Sequence, residues 1–220
     1  MSYTRFFEHL CREAYDSVDV HENSSDPIEG WMDEGFGDVI DKIIGENEGF
    51  IDACEVGSWL GKSADCIAQR LKGRGRLMCV DSWLGAPEFW TRIGLTDRTR
   101  GVALKKKNGY PMIFFDFVKN MKQRGHESIV APFPLSSQAA AEVLKAYGAT
   151  FDFIYIDASH EYESVISDIR AYAKLLKPGG CLVGDDYMTN WPGVIKAVDE
   201  FANELGVAVE VSGVVWKIKM

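Results

Sequence analysis

The 220-residue chain lacks the marks of several large protein classes. No apolar run approaches the roughly 18 residues that cross a bilayer. The first residues, Met1 to Glu8, do not follow the plan of a secretory signal, so no membrane partner is expected. The five cysteines (Cys11, Cys54, Cys66, Cys79 and Cys181) are odd in number and never spaced as CxxC, which argues against a disulfide framework. Cys54, Cys79 and Cys181 lie in apolar runs, so buried free thiols and a reducing, cytoplasmic compartment are the expectation. Positive charge is also short. With 24 Lys and Arg against 33 Asp and Glu the net charge is −9, which speaks against a nucleic-acid partner. The dense basic run Lys105-Lys106-Lys107, near Arg98 and Arg100, reads as a solvated loop. There is no internal repeat and no low-complexity segment. The length fits one domain with a single core.

What is present is alternation. Residues 1–30 read as a helix followed by a loop that contains His21 to Pro27. Val39, Ile40, Ile43 and Ile44 recur at helical spacing. Strands are expected at 51–56, 76–80, 128–131, 151–156, 181–183, 207–211 and 214–219. Helices are expected at 63–71, 112–122, 138–147, 162–176 and 193–205. Residues 84–108 are irregular, polar and aromatic. Alternating strands and helices imply a mostly parallel sheet covered on both faces. Only Ser212-Gly213 separates the last two strands, too little for a crossover, so they must pair antiparallel. The fold class is therefore α/β: a Rossmann-like, seven-stranded, mostly parallel sheet with a C-terminal antiparallel hairpin and helices on both faces.

Ligands of such sheets bind beyond the carboxyl ends of the strands, and four strand ends here carry polar residues. The first is Glu55-Val56-Gly57-Ser58-Trp59-Leu60-Gly61-Lys62-Ser63. Gly57 and Gly61 permit a sharp turn and a close backbone approach to a ligand, and the helix that follows offers free N–H groups. The stretch is neither G-x-G-x-x-G nor a Walker motif, and Glu55 would repel a pyrophosphate, so a ligand with an ammonium or sulfonium group suits it better. A plain tight turn accounts for the same residues. Asp81 ends the next strand, where a carboxylate can accept two hydrogen bonds from a ribose diol. Asp157-Ala158-Ser159-His160 and Asp185-Asp186-Tyr187 follow two further apolar strands. Converging carboxylates at Asp157, Asp185 and Asp186 would repel one another, and a divalent cation relieves that; oxygen donors suit Mg²⁺, with Mn²⁺ or Ca²⁺ as alternatives. His160 is placed to act as general base on a substrate hydroxyl. The blander readings are a capping Ser159, solvated loop carboxylates, and a structural or substrate-binding histidine.

These residues resemble a class I S-adenosylmethionine (SAM)-dependent methyltransferase. The chain is most similar to metal-dependent small-molecule O-methyltransferases that modify antibiotic sugars, to their cephalosporin-hydroxylase-type relatives and, more distantly, to catechol O-methyltransferase. The stretch from Phe151 through Asp157, His160, Tyr162, Val165 and Asp168 to Gly179-Gly180 and Asp185-Asp186-Tyr187 carries most of the match. It runs from about residue 35 to the end, which implies a methyltransferase domain at 35–220 behind an N-terminal helical extension at 1–34. The resemblance implies that Glu55, Gly57 and Ser58, with Gly61 and Ser63 of the same turn, hold the methionine part of SAM. It assigns the ribose to Asp81 and the adenine flank to Ser137-Gln138. Asp157 borders the cofactor and, with Asp185 and Asp186, ligates the metal. His160, or a metal-ligating carboxylate such as Asp157, takes the proton from a small hydroxylated acceptor, a sugar or diol. Trp59 and Leu60 depart from the family, standing where many members have a second glycine. Segment 84–110, with Trp83, Phe89, Trp90 and Tyr110, would close over the site or pack beneath a long loop. Homo-oligomer formation through residues 1–34 is a further implication. The competing functions are a SAM-binding regulatory or scaffold protein without catalysis, and a hydroxylase-like enzyme on the same fold.

Overall fold

A computed structural model of the chain describes residues 2–19, 26–91 and 104–220. Strand β1 (Ile51–Val56) is buried along nearly its whole length, because it lies mid-sheet with helices on both sides. It leads through a glycine turn into α3 (Lys62–Leu71) and then β2 (Gly75–Asp81). A short helix, α4 (Pro87–Thr91), and a two-residue hairpin, β3 (Lys106–Lys107) with β4 (Tyr110–Pro111), precede α5 (Ile113–Gln123) and β5 (Val130–Pro134). The second half runs α6 (Ser137–Ala146), β6 (Phe151–Ile156), α7 (Tyr162–Ala173), β7 (Leu176–Gly184), α8 (Pro192–Leu205), β8 (Glu210–Ser212) and β9 (Val215–Lys219). Ahead of β1 stand α1 (Tyr3–Tyr15) and α2 (Phe36–Gly45).

The seven-stranded sheet has the order β5-β2-β1-β6-β7-β9-β8. Its first five strands are parallel, and β9 pairs antiparallel with both β7 and β8. The chain lays β1, β2 and β5 outward in one direction, then returns to place β6 and β7 on the other side of β1. The strand order therefore reverses between β1 and β6, and the crevice beyond their carboxyl ends is where a ligand binds in such a sheet. One face is covered by α1, α6, α7 and α8. The other is covered by α2, α3 and α5.

Several boundaries differ from the sequence reading. Strand β5 begins two residues later than expected and extends through Pro132 and Pro134. Proline removes a ladder donor, but β5 is an edge strand and needs only one bonded side. Helix α7 stops at Ala173, and β7 already pairs at Leu176 opposite Phe151. Lys177 to Gly180 bulge out before the register resumes at Cys181 opposite Phe153. The last hairpin's first strand is confined to Glu210–Ser212. Helix α1 packs on the sheet: Tyr3, Phe6 and Phe7 enter the core, Phe6 stacks on Tyr147 at 4.1 Å, and the Arg76 guanidinium lies 4.6 Å over Tyr3. All five cysteines are free thiols, with Cys54, Cys79 and Cys181 buried. No helix among the described residues is long and apolar enough to cross a membrane.

Candidate active site

The turn after β1 is fixed by its neighbours. Gly57 has φ +93°, and a Cβ there would overlap the backbone carbonyl of Asp157 at the end of β6. Its N–H donates to the Val80 carbonyl at 2.8 Å, while the Asp157 N–H donates to the Val56 carbonyl at 2.8 Å. The glycine lets three strand ends meet. Gly61 also has φ +93°, and its missing Cβ faces Met121 and Phe117 rather than the crevice. Both glycines thus answer to packing against protein; Gly57 also lines the cavity, and Gly61 does not.

Between them Trp59 holds φ +47°, an unfavourable conformation for a bulky side chain. Asp81 stabilises it. One Asp81 oxygen accepts the Trp59 N–H at 2.9 Å, and the other accepts the Trp83 N–H at 2.7 Å. Trp83 also has positive φ, and its indole N–H donates to the Trp59 carbonyl at 2.7 Å. Asp81 therefore ties the ends of β1 and β2 together. The Ser58 and Ser82 backbone N–H groups also bear on this carboxylate, and Asp81 lines the cavity. Burial raises its pKa, against the pull of those backbone donors.

Glu55 does not reach the cavity. It is 0% exposed on β1, between Cys79 of β2 and Tyr155 of β6, and the Cys79 thiol donates to it at 3.5 Å. Burial pushes its carboxyl up to about 7. The Ser58 and Ser63 hydroxyls lie near enough to draw its carboxyl down against that burial, although the buried Oε1 and Ser58 Oγ lack a well-formed hydrogen bond. Ser58 and Ser63 line the cavity above it. Such orphaned polar atoms are costly unless a ligand or water completes them.

At the start of α6, Ser137 and Gln138 line the same cavity. The Gln138 amide donates to Asp168 of α7 at 2.7 Å, and the Tyr172 hydroxyl donates to the Ser137 carbonyl at 2.9 Å. Asp168, nearly fully buried, thus orients Gln138. The sequence reading quoted Asp168 as a family match and gave it no role.

The ends of β6 and β7 bring the remaining candidates together. His160 Nε2 lies 2.6 Å from Asp186 Oδ2, and its ring stacks on Trp191 at 4.1 Å. The Tyr155 hydroxyl reaches Asp157 at 3.2 Å and Asp185 at 3.3 Å. Burial first, then the charges of Asp185 and Asp186, push Asp157 up to about 7. Burial also raises Asp185, against the Asp186 N–H, which donates to it at 2.8 Å. Among the described residues the group able to converge on one ion is Asp157, His160 and Asp186, whose ligating atoms all lie within 4.8 Å of one another. Asp185 lines the cavity but falls outside that group, and His160 takes its place beside the two other carboxylates.

Gly57, Ser58, Ser63, Asp81, Gln138, Asp157, His160, Asp185 and Asp186 border one cavity of about 1290 Å³, which Glu55 and Gly61 do not line. That exceeds the roughly 300–1,000 Å³ of a single small-molecule site and leaves room for two reactants. Part of its wall was not foreseen: Gly30, Trp31, Met32 and Asp33 precede α2, and Val214 comes from the final hairpin. The aromatics of segment 84–110 divide. Phe89 lines the cavity and stacks on Trp59 at 5.2 Å, Trp83 is buried in the core, and Tyr110 is exposed. Residues 92–103 of that segment, including Arg98 and Arg100, lie outside the described residues, as do residues 20–25.

Known proteins share this architecture. CalS11, a calicheamicin methyltransferase, superposes with a TM-score of 0.59 at 15% identity, over 83% of this chain and 76% of that one. The O-methyltransferase from Bacillus cereus, solved in complex with S-adenosylhomocysteine (SAH), gives 0.59 at 12% identity, over 98% and 99%. A stretch of 70 residues is 33% identical to uncharacterized protein R132 of Acanthamoeba polyphaga mimivirus, and it spans about a third of that curated relative's length. The family model for the methyltransferase domain matches residues 54–187, from within β1 to Tyr187 beyond β7. By that match over more than half its length, the chain belongs to the methyltransferase family, with the fold of its class I, SAM-dependent members.

Proposed function

We propose that this protein transfers the methyl group of SAM to a hydroxyl oxygen of a small molecule, with a divalent cation assisting. One observation carries the reading. A single cavity at the switch point of the sheet joins a cofactor-like half (Ser58, Ser63, Asp81, Ser137, Gln138) to an acid- and imidazole-bearing half (Asp157, His160, Asp185, Asp186). The second half suits proton removal. The residues also fit a cation, because Asp157 and Asp186 place mutually repelling oxygens within reach of an imidazole nitrogen. A bound Mg²⁺ or Mn²⁺ would lower the pKa of an acceptor hydroxyl.

The chain's own side chains supply the rest. Asp81 and Gln138 position the ribose and adenine of the cofactor. Trp191 and Asp186 fix the plane of His160, so its imidazole meets the hydroxyl proton in a set orientation. Aligning acceptor oxygen with methyl carbon supplies most of the acceleration. The 2.6 Å contact with Asp186 supports His160 as an oriented base, and the three-residue convergence supports a second role, as ligand.

Mn²⁺ binding followed by electron paramagnetic resonance separates the two roles. Asp186→Ala is expected to weaken Mn²⁺ affinity at least about tenfold. With His160 as base, His160→Ala keeps the wild-type affinity; an equal loss makes the imidazole a ligand. Failure of the wild-type protein to bind Mn²⁺ would overturn metal assistance.

A further inference from the structure

Between β2 and the first turn of α5, large apolar side chains stand in solvent. Leu84, Trp90, Tyr110 and Phe115 are between 38% and 58% exposed. Contacts hold this segment together. The Trp90 indole N–H donates to the Leu84 carbonyl at 2.8 Å, and the Lys106 ammonium sits 3.7 Å over the Trp90 ring. Across the β3–β4 hairpin Lys106 pairs with Pro111 and Lys107 with Tyr110. Its two-residue turn, Asn108 at φ +51° and Gly109 at φ +81°, is of the tight hairpin kind. A Cβ at Gly109 would meet nothing within 4 Å, so the tip stands in open space. The Met112 N–H donates to the Lys105 carbonyl at 2.8 Å, which ties the hairpin to the start of α5. On α5, Phe115 and Lys119 are one turn apart and both exposed.

Charge is segregated in the same place. Residues 82–115 hold six Lys and Arg against two Asp and Glu, in a chain whose net charge is −9. Lys105, Lys106 and Lys107 are all exposed. A single exposed aromatic needs no explanation, but a group of them beside a basic run marks an interaction surface. Its partner must offer negative charge and an apolar layer together. An anionic bilayer offers both: Trp and Tyr rings settle at the headgroup level, and the surface potential draws in lysines. A polyanion without an apolar layer would leave Leu84 in water.

We propose that this face docks on an anionic lipid bilayer, with Trp90, Tyr110 and Phe115 in the headgroup layer and Lys105, Lys106 and Lys107 against its charge. Gly85, Ala86, Pro87 and Phe89, which lie between Leu84 and Trp90, line the cavity, so docking brings the cavity rim to the membrane. The absence of a spanning helix among the described residues bears on crossing a bilayer, not on lying against one. The sequence expectation of no membrane partner concerns the former. Docking is independent of the chemistry inside the cavity.

Cosedimentation of the full chain with vesicles provides the test. Phosphatidylcholine vesicles containing phosphatidylglycerol, about one part in three, are compared with pure phosphatidylcholine at low salt. Binding is expected on the anionic vesicles and at least about tenfold less on the neutral ones. Replacing Lys105, Lys106 and Lys107 together by Gln should weaken binding at least about tenfold. Trp90→Ser combined with Phe115→Ser should weaken it about tenfold as well. Val211→Ser, at an exposed apolar residue of the edge strand β8, should change nothing. Lipid brominated near the headgroup should quench tryptophan emission, and Trp90→Phe should remove most of that quenching. Circular dichroism checks that each variant is folded; the three lysines are exposed, so their replacement keeps the test decisive even if Trp90→Ser does not fold. No binding to anionic vesicles, or undiminished binding after loss of the lysines, would overturn the proposal. So would binding that needs the lysines but ignores Trp90 and Phe115, which is the behaviour of a site for nucleic acid or another polyanion.

Discussion

Asp81 and Glu55 end neighbouring stretches of sequence in the same way, yet the fold gives them opposite surroundings. Both were legible as strand-end carboxylates. That Asp81 restrains two tryptophans at positive φ was not, because backbone conformation at Trp59 and Trp83 leaves no trace in residue type. Nor was the depth of Glu55, which alternation places between two strands rather than at the rim. That depth has a measurable result. Glu55 titrates near 4.5 when unfolded and at about 7 when folded, so the ligand-free folded state holds its proton across that window. The stabilisation this brings is complete below the lower value and is lost as pH rises through the upper one. Its full size is about 3 kcal/mol, reckoned at ~1.4 kcal/mol per pH unit. Glu55→Gln should therefore match the wild type at pH 5 in urea unfolding and exceed it by about 2–3 kcal/mol at pH 8. Asp157 titrates in the same window and is raised in part by the Glu55 charge, so losing that repulsion adds to the difference in the same direction. A difference that stays constant with pH would contradict the assigned burial.

At the scale of elements, the strands and helices nearest the site were the easiest to read. Strands β1 and β6 match the sequence reading residue for residue, since each is an apolar run bounded by turn residues. Elements farther along the sheet were harder. Pro132 and Pro134 hid the end of β5, because edge position is a property of the assembled sheet. Pro178-Gly179-Gly180, between the helix expected at 162–176 and the strand expected at 181–183, form a bulge inside β7. The β1–α3 turn is where an element-level claim can be tested. Gly57→Ala adds a Cβ that meets the backbone of β6, which cannot move without separating two paired strands. A loss on the order of 3 kcal/mol or more is expected, combining strain at positive φ with overpacking. Gly73→Ala is the matched control: φ is +73° and nothing lies within 4 Å, so only about 1 kcal/mol should be lost. Thermal unfolding of the two variants checks this, and equal losses would mean that strand crowding plays no part at Gly57.

For the whole molecule, the order of strands decides where chemistry can occur. Reversal between β1 and β6 sets the glycine turn, Asp81, Asp157 and Asp186 around one opening, although they are spread over 130 residues of chain. Alternating patterns made that architecture legible, and the carboxylates at four strand ends made the site legible within it. The N-terminal contribution was not legible. Trp31 and Asp33 belong to no periodic segment, and only the packing of α1 and α2 against the sheet brings them to the cavity. The central claim is that this opening holds SAM. Isothermal titration of the purified protein with SAM tests it most directly. One SAM per chain at micromolar affinity is predicted for the wild type, with Asp81→Ala weakened at least about tenfold through loss of the ribose contact and of the restraint on Trp59; no binding by the wild type, or undiminished binding by Asp81→Ala, would contradict the account.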